Sequence, residues 1–297
     1  MRRRLIVAII SIIVVAFILI YLLIPSPLTA SGRVSFSTNI NTTYQALSDQ
    51  KNWNKWSPET FQITGRLVNT IELYVNKDNA AVPVSILLIP VAIDSTTAIW
   101  KTSFPQSGNP LTRVNQYSQS HDLKDLMNKA FTNFQSFVLQ TENIYGIKIQ
   151  ETSTKDTLLI TTRFKSHSFP TTQLIYDNIN KLRSYAAQKG AAESGFPMLN
   201  VSAADSSTFN CMVGMPINKA VEDNNSISFV RMVPGRFLTT QVTGGPYTIS
   251  NAHRMMDQYF KDFGRTSMAI PFEYLVTDRL KERDTTKWVT RIYGPVY

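Results

Sequence analysis

The hydrophobic pattern opens with an uninterrupted apolar run. Residues 5–24 carry no charge, follow arginines at positions 2, 3 and 4, and lead into a segment with Pro25 and Pro27. A helix of this length spans about 30 Å, the thickness of the hydrocarbon core of a bilayer. Because basic residues stay on the cytoplasmic side, we predict a single-pass anchor in a bacterial inner membrane, with a cytoplasmic N-terminus and a periplasmic body. A cleaved signal peptide is the alternative, although its apolar run usually has about 7 to 15 residues.

Residues 33–146 show the pattern of a strand and a helix followed by several short strands. The helix passes through Tyr44, Leu47 and Trp53, and strands are predicted at 34–38, 61–68, 70–76, 82–89, 96–103 and 111–118. A long amphipathic helix over 122–141 closes this segment, because apolar residues recur there at intervals of three and four. This order predicts a domain in which antiparallel strands curl around the last helix.

Residues 147–297 contain a repeated order of one strand, one helix and two strands. The first copy has strands at 157–164, 198–203 and 208–215 with a helix at 173–189, and the second has strands at 237–242, 272–276 and 288–293 with a helix at 249–263. Two such βαββ units bury one face each against a shared sheet. With residues 1–32 as membrane anchor and linker, the chain is predicted to have an α+β fold.

Charge and motif content exclude several functions. Of the 30 basic residues three precede the apolar run, so 27 remain against 21 acidic residues, and they are scattered along the chain without a helix-turn-helix or zinc pattern; nucleic-acid binding is therefore not expected. Cys211 has no partner for an internal disulfide, and His121, His167 and His253 lack ligand spacing, so no metal site is expected. No Gly-rich cofactor loop or nucleophile motif occurs, and neither a cofactor nor a catalytic residue is predicted.

Two short segments that contain aromatic residues indicate a family resemblance for the first domain. The segments Thr42–Asp49 and Trp53–Pro58 resemble the START-like superfamily (SRPBCC, polyketide cyclase, helix-grip), which has a similar tryptophan-containing turn after its first helix. The resemblance implies a cavity between the sheet and the long helix that could hold a lipid. Trp53 and Trp56 could equally be core residues, and the cavity could be open or filled by three phenylalanines of the long helix, at positions 131, 134 and 137.

The second domain resembles the GyrI-like small-molecule-binding family, which also supplies effector-binding domains of AraC-type and MerR-type regulators. The matching residues are Gly244–Tyr247 before a helix, Phe272-Glu273 after it, and the segments 284–290 and 292–296. The resemblance implies that Glu273 lies in a cleft between the repeats and binds polar or cationic groups of hydrophobic ligands. It also implies that Tyr247, Trp288 and Tyr293 border this cleft. Many relatives carry a tyrosine where this chain has Leu275, which implies a poorer aromatic cage.

Strand alternation alone offers another interpretation of Glu273, in which it faces solvent while Phe272 and Tyr274 face the core. Tyr247, Trp288 and Tyr293 could also be core residues. With the resemblance, the sequence predicts a membrane-anchored, non-enzymatic binding protein for hydrophobic or amphipathic small molecules, cationic ones included. Two alternatives stay open: a hydrolase of small electrophiles with Glu273 as general base, and an envelope protein that binds another protein. Neither the ligand nor a protein partner is specified.

Overall fold

The computed structural model describes residues 2–57, 60–77, 80–154, 157–232, 234–267 and 269–296. The chain forms two compact units, residues 1–140 and 141–297. Pro58, the last residue of the tryptophan-containing turn, lies outside the described residues. The mixed α+β class predicted from the sequence is confirmed.

The first unit begins with helix α1 (Arg2–Leu23), whose side chains are exposed along nearly its whole length. Within the described ranges it is the one helix long and apolar enough to cross a membrane. A five-stranded antiparallel sheet in the order β1-β5-β4-β3-β2 follows, and helix α4 packs on it. The elements are β1 (Thr29–Phe36), α2 (Ile40–Ser48), α3 (Gln50–Trp56), β2 (Thr60–Leu67), β3 (Thr70–Lys77), β4 (Ala80–Ala92), β5 (Ser95–Ser103) and α4 (Pro110–Val138).

The strand predicted at 111–118 is wrong, because these residues form the first two turns of α4. The Asn109 side chain accepts a hydrogen bond from the Leu111 amide and caps the helix, and Pro110 occupies its first turn. Proline is favoured there because its fixed φ suits a helix and its missing N–H would have no partner. The helix therefore begins about three turns earlier than its later apolar periodicity indicates.

Aromatic side chains fill the space between this sheet and α4. The Phe36 ring packs edge-on against Phe134 with centroids 4.9 Å apart, and Trp56 contacts Phe134 at 5.0 Å. Phe131 packs on Phe36 at 5.6 Å. All four are buried. These rings occupy the region in which the START resemblance implies a lipid cavity.

The second unit is built around one eight-stranded antiparallel sheet, in the order β10-β7-β9-β8-β12-β13-β11-β6. The two predicted βαββ copies are β7-α6-β8-β9 and β11-α7-β12-β13, and they meet where β8 pairs with β12. The elements are α5 (Thr141–Tyr145), β6 (Gln150–Thr154), β7 (Thr157–Ser166), α6 (Thr172–Gln188), β8 (Met198–Ala203), β9 (Phe209–Ile217), β10 (Ser228–Met232), β11 (Gly235–Thr243), α7 (Pro246–Asp262), β12 (Phe272–Leu275), a 3₁₀ turn (Thr285–Lys287) and β13 (Val289–Val296).

The two halves of this sheet have separate apolar clusters. Helix α6 covers a cluster that includes Leu199 and Leu275, and helix α7 covers a second one that includes Ile249, Met256 and Ile292. One further strand extends each half at its outer edge. Strand β6, which precedes the first copy in the chain, pairs with β11 of the second copy, and β10, which precedes the second copy, pairs with β7 of the first. Each half therefore has four strands, and the seam between β8 and β12 lies at the centre of the sheet.

Candidate functional site

Glu273 lies on β12 at this seam. In register it pairs with Leu199 of β8 on one side and with Ile292 of β13 on the other, and these two residues belong to the two apolar clusters under α6 and α7. Cross-strand partners point to the same face of a sheet, so the carboxylate is on the face that carries the helices. Its side chain is 12% exposed, and the solvent-facing orientation suggested by alternation does not occur.

In the part of the chain that the structure describes, two side chains contact the Glu273 carboxylate. His253 of α7 places its Nε2 atom 2.9 Å from Oε1, and Arg279, in the loop after β12, places Nη2 3.5 Å from Oε2. Arg279 is 7% exposed, whereas His253 is half-buried. The buried glutamate therefore already has an internal cation as its partner.

Arg279 makes further contacts that hold its guanidinium in place. Nη2 donates to the Thr290 hydroxyl at 2.9 Å, and the guanidinium lies 5.0 Å from the centre of the Trp288 ring. Nε is buried and has no hydrogen-bond partner among the described residues. Buried donors are almost always paired, so this nitrogen is a position where a ligand acceptor could bind. We call Glu273, His253, Arg279, Trp288 and Thr290 the Glu273 cluster.

Helix α6 reaches the same region through Tyr176. The Tyr176 hydroxyl accepts from the Arg279 backbone amide at 2.7 Å and donates to the Thr277 carbonyl at 3.2 Å, which fixes the loop that carries the arginine. Burial raises the pKa of the Tyr176 phenol, so it stays neutral and can make both bonds. A cavity of about 170 Å³ adjoins this tyrosine and is also lined by Leu275, Val276 and Asp278.

The four residues predicted from the sequence do not form a single group. Glu273 and Trp288 are brought together through Arg279, and the Trp288 indole donates to the Glu282 carbonyl at 2.9 Å. Tyr247, in the first turn of α7, is 86% exposed. Tyr293 lies on the opposite face of the sheet from Glu273, stacked on Phe272 with centroids 5.0 Å apart.

The opposite face carries an aromatic cluster. Tyr293 and Tyr274 contact each other and Phe272, and Phe237 contacts both Tyr293 and Phe272. Burial is the main cause that raises the pKa of the Tyr274 phenol, and the neighbouring Tyr293 adds to it. Packing of this face accounts for the Phe-Glu-Tyr sequence on β12, because the two aromatic side chains pack on one face of the sheet and the glutamate side chain lies on the other.

Among the described residues, no group of three or more His, Cys, Asp or Glu side chains is placed to hold a metal ion. A depression of about 710 Å³ lies on the sheet of the first unit. It is lined by exposed Glu72 and Lys101, which flank Ser85 across two strand pairs, and by several hydroxyl side chains. The lining also contains apolar residues, among them Ala30, Tyr74 and Pro83. We take the Glu273 cluster as the candidate site because it holds a buried charge pair at the seam of the two repeats.

Two residues of the Glu273 cluster, His253 and Arg279, were not predicted from the sequence. His253 had a usable signal, because it is four residues after Ile249 and three before Met256, the spacing of the buried face of α7. Arg279 had none, since it stands in the charged stretch Asp278–Asp284, which is typical of a solvated loop.

No protein-family model and no curated protein matches the sequence. Several solved structures match parts of it. The EcmrR C-terminal domain is 16% identical, with 51% of this chain and 98% of that chain covered and a TM-score of 0.42. SAV2435 bound to tetraphenylphosphonium is 13% identical, covering 50% and 94%, with a TM-score of 0.35. A START superfamily protein from Mycobacterium smegmatis is 12% identical, covering 38% and 97%, with a TM-score of 0.30.

Proposed function

We propose that this protein is a membrane-anchored, non-enzymatic binding protein that holds a hydrophobic or amphipathic small molecule at the Glu273 cluster. Helix α1 would be its anchor, in a bacterial inner membrane with the N-terminus in the cytoplasm. The proposal keeps Glu273 and Trp288 as ligand contacts and adds Arg279 and His253. Contacts of Tyr247 and Tyr293 with a ligand stay predictions, because neither residue belongs to the cluster.

The observation that carries the proposal is the incompletely paired Arg279 beside a buried glutamate. Burying two charges costs desolvation free energy, and apolar side chains of similar size often replace such pairs without loss of stability. A charge pair retained at the seam of two apolar clusters is therefore better explained by binding than by stability.

The ligand would exchange with one member of the charge pair. An acceptor group could bind Arg279 at Nε, and a cationic group could bind Glu273 if Arg279 moves aside. The neighbouring cavity of about 170 Å³ is large enough for one ring, and its lining is mixed, with Leu275 and Val276 beside charged Arg183, Glu193 and Asp278. We therefore expect an amphiphile with one small ring or a short branched chain at its bound end.

Benzoate, benzamidine and benzamide test this proposal, because they share a shape and differ in charge. The fluorine-19 resonance of Trp288 in full-length protein labelled with 5-fluorotryptophan reports binding in detergent micelles. We expect Glu273→Gln to favour benzoate, because Arg279 loses its counterion, and Arg279→Met to favour benzamidine. The double variant should bind neither ion.

A matched control is the surface pair Lys189 and Glu222, whose atoms are 3.2 Å apart with both side chains exposed. Glu222→Gln and Lys189→Met should leave the ion preference unchanged. Equal responses of the wild type and all three cluster variants to the three probes would contradict binding at the Glu273 cluster.

One observation favours hydrolysis as a second candidate. The 2.9 Å contact of His253 with Glu273 resembles the histidine–carboxylate pairs that activate water. Turnover of 4-nitrophenyl acetate by the full-length protein that falls at least tenfold in both His253→Ala and Glu273→Gln would support it. Equal background rates in the wild type and both variants would exclude it for this ester.

A further inference from the structure

The end of helix α1 is tied to the first turn of α4. The Tyr21 hydroxyl donates a hydrogen bond to the Gly108 carbonyl. The Arg113 guanidinium lies 4.4 Å from the centre of the Tyr21 ring, and it donates to the Ile24 carbonyl at 3.2 Å and to the Ser107 carbonyl at 2.8 Å. These contacts hold residues 107–113 level with the last turn of α1.

If α1 crosses a bilayer, these contacts lie at its boundary. The apolar stretch from Leu5 to Leu23 is about 28 Å long at 1.5 Å per residue, close to the thickness of the hydrocarbon core. The far edge of that core then falls between Tyr21 and Ile24. Tyrosine and arginine are typical at this level, because their apolar parts face lipid while their polar ends reach the headgroups.

Next to this boundary, α4 exposes three apolar side chains. Leu111, Val114 and Tyr117 are all exposed, Leu111 by 72%. Their spacing of three places them on one side of the helix, away from buried Gln116 and Ser120 on the side that packs on the sheet. We call Leu111, Val114 and Tyr117 the exit patch. Arg113 is the single charged residue in the sequence from 105 to 120, so this segment carries no carboxylate that would oppose contact with lipid headgroups.

We infer that the exit patch lies in the interface of the bilayer that α1 crosses. The inference rests on the proposed anchor. Leu111 and Val114 leave water by entering the upper acyl region, and Arg113 between them can bind a lipid phosphate. The first unit then touches the membrane at two places, the end of α1 and the start of α4. Two contacts fix the orientation of the first unit on the bilayer, whereas a single flexible tether would leave that orientation free.

Nitroxide labels test the depth of the patch in full-length protein reconstituted in phosphatidylcholine and phosphatidylglycerol vesicles. Val114→Cys and Leu111→Cys are compared with Val91→Cys, an exposed valine at the β4–β5 turn, at the other end of the sheet from Thr29. Ile13→Cys marks the middle of α1. The wild type is the labelling blank, because Cys211 is buried and burial raises the pKa of its thiol.

We expect labels at 111 and 114 to be at least threefold less accessible than the label at 91 to an aqueous nickel chelate, and more accessible to oxygen. If the label at position 13 is accessible to oxygen while the labels at 111 and 114 are accessible to the nickel chelate, the inference is wrong and the anchor stands. If the label at position 13 is itself accessible to the nickel chelate, both are wrong. Ligand binding at the Glu273 cluster is measured separately and does not depend on either outcome.

Discussion

The charge pair of Glu273 and Arg279 gives the sharpest quantitative prediction. Arg279→Met leaves a carboxylate that is 12% exposed with His253 as its remaining partner. Removing one member of a buried pair costs about 3 to 5 kcal/mol. The 3.5 Å separation is at the outer limit of a hydrogen bond, so we expect the lower end, about 3 kcal/mol, or a fall of roughly 6 to 12 °C in Tm for a unit of this size.

Glu273→Gln should cost a similar amount, since it leaves Arg279 buried without a counterion. The double variant leaves no uncompensated charge, so it should lose about 3 kcal/mol in total instead of the sum of about 6 kcal/mol. Thermal unfolding of the full-length protein in detergent, followed by the fluorine-19 signal of Trp288, measures all three variants. Trp288 is the one tryptophan in the sequence from 141 to 297, so its signal reports on the second unit.

The surface pair Lys189 and Glu222 is the control, and its coupling should stay below about 1 kcal/mol because both partners are solvated. Additive losses in the double variant of the cluster would refute the reasoning. They would mean that Glu273 and Arg279 stabilise the protein independently and do not form a functional unit.

Three further predictions concern other parts of the chain. Gly32→Ala should lower the stability of the first unit by about 2 kcal/mol in urea unfolding, because a Cβ there would lie 2.4 Å from the Trp100 indole nitrogen in a closed core; unchanged stability would show that Trp100 can shift. Phe134→Ala should cost about 3 to 5 kcal/mol in the same assay, and a loss below 1 kcal/mol would mean that the space under α4 is not packed. Since burial raises the pKa of Tyr274 above its ordinary value near 10, the folded state holds that proton more tightly. Its contribution to stability is complete below about pH 10 and is lost as the pH rises through the folded-state pKa. Tyr274→Phe should therefore flatten the fall in Tm above pH 10, and an unchanged alkaline profile would contradict this.

Local patterning predicted much of the fold. The βαββ order of the second unit could be read because α6 and α7 each place apolar residues at helical spacing, and because strands flank them in the same order. The same method was wrong at 111–118, where a strand was predicted and the residues form the start of α4. The helix there is determined by the Asn109 cap and by contacts with α1, neither of which has a periodic signal.

The candidate site was less predictable than the fold. The position of Glu273 between helices depends on β8 pairing with β12, a contact between residues more than 70 positions apart. Arg279 reaches it through a loop held by Tyr176, and nothing in the local sequence distinguishes that arginine from Arg283 nearby. Long-range pairing and loop conformation therefore determine the electrostatics of the site, and sequence periodicity does not encode them.

Native mass spectrometry of the full-length protein, extracted from membranes in mild detergent, tests small-molecule binding at the Glu273 cluster most directly. We predict that the wild type retains a molecule of a few hundred daltons or less, and that this adduct is absent from the Glu273→Gln/Arg279→Met variant and present in the Glu222→Gln/Lys189→Met control. An adduct-free wild type, or the same adduct on the cluster variant, would contradict the proposed binding site.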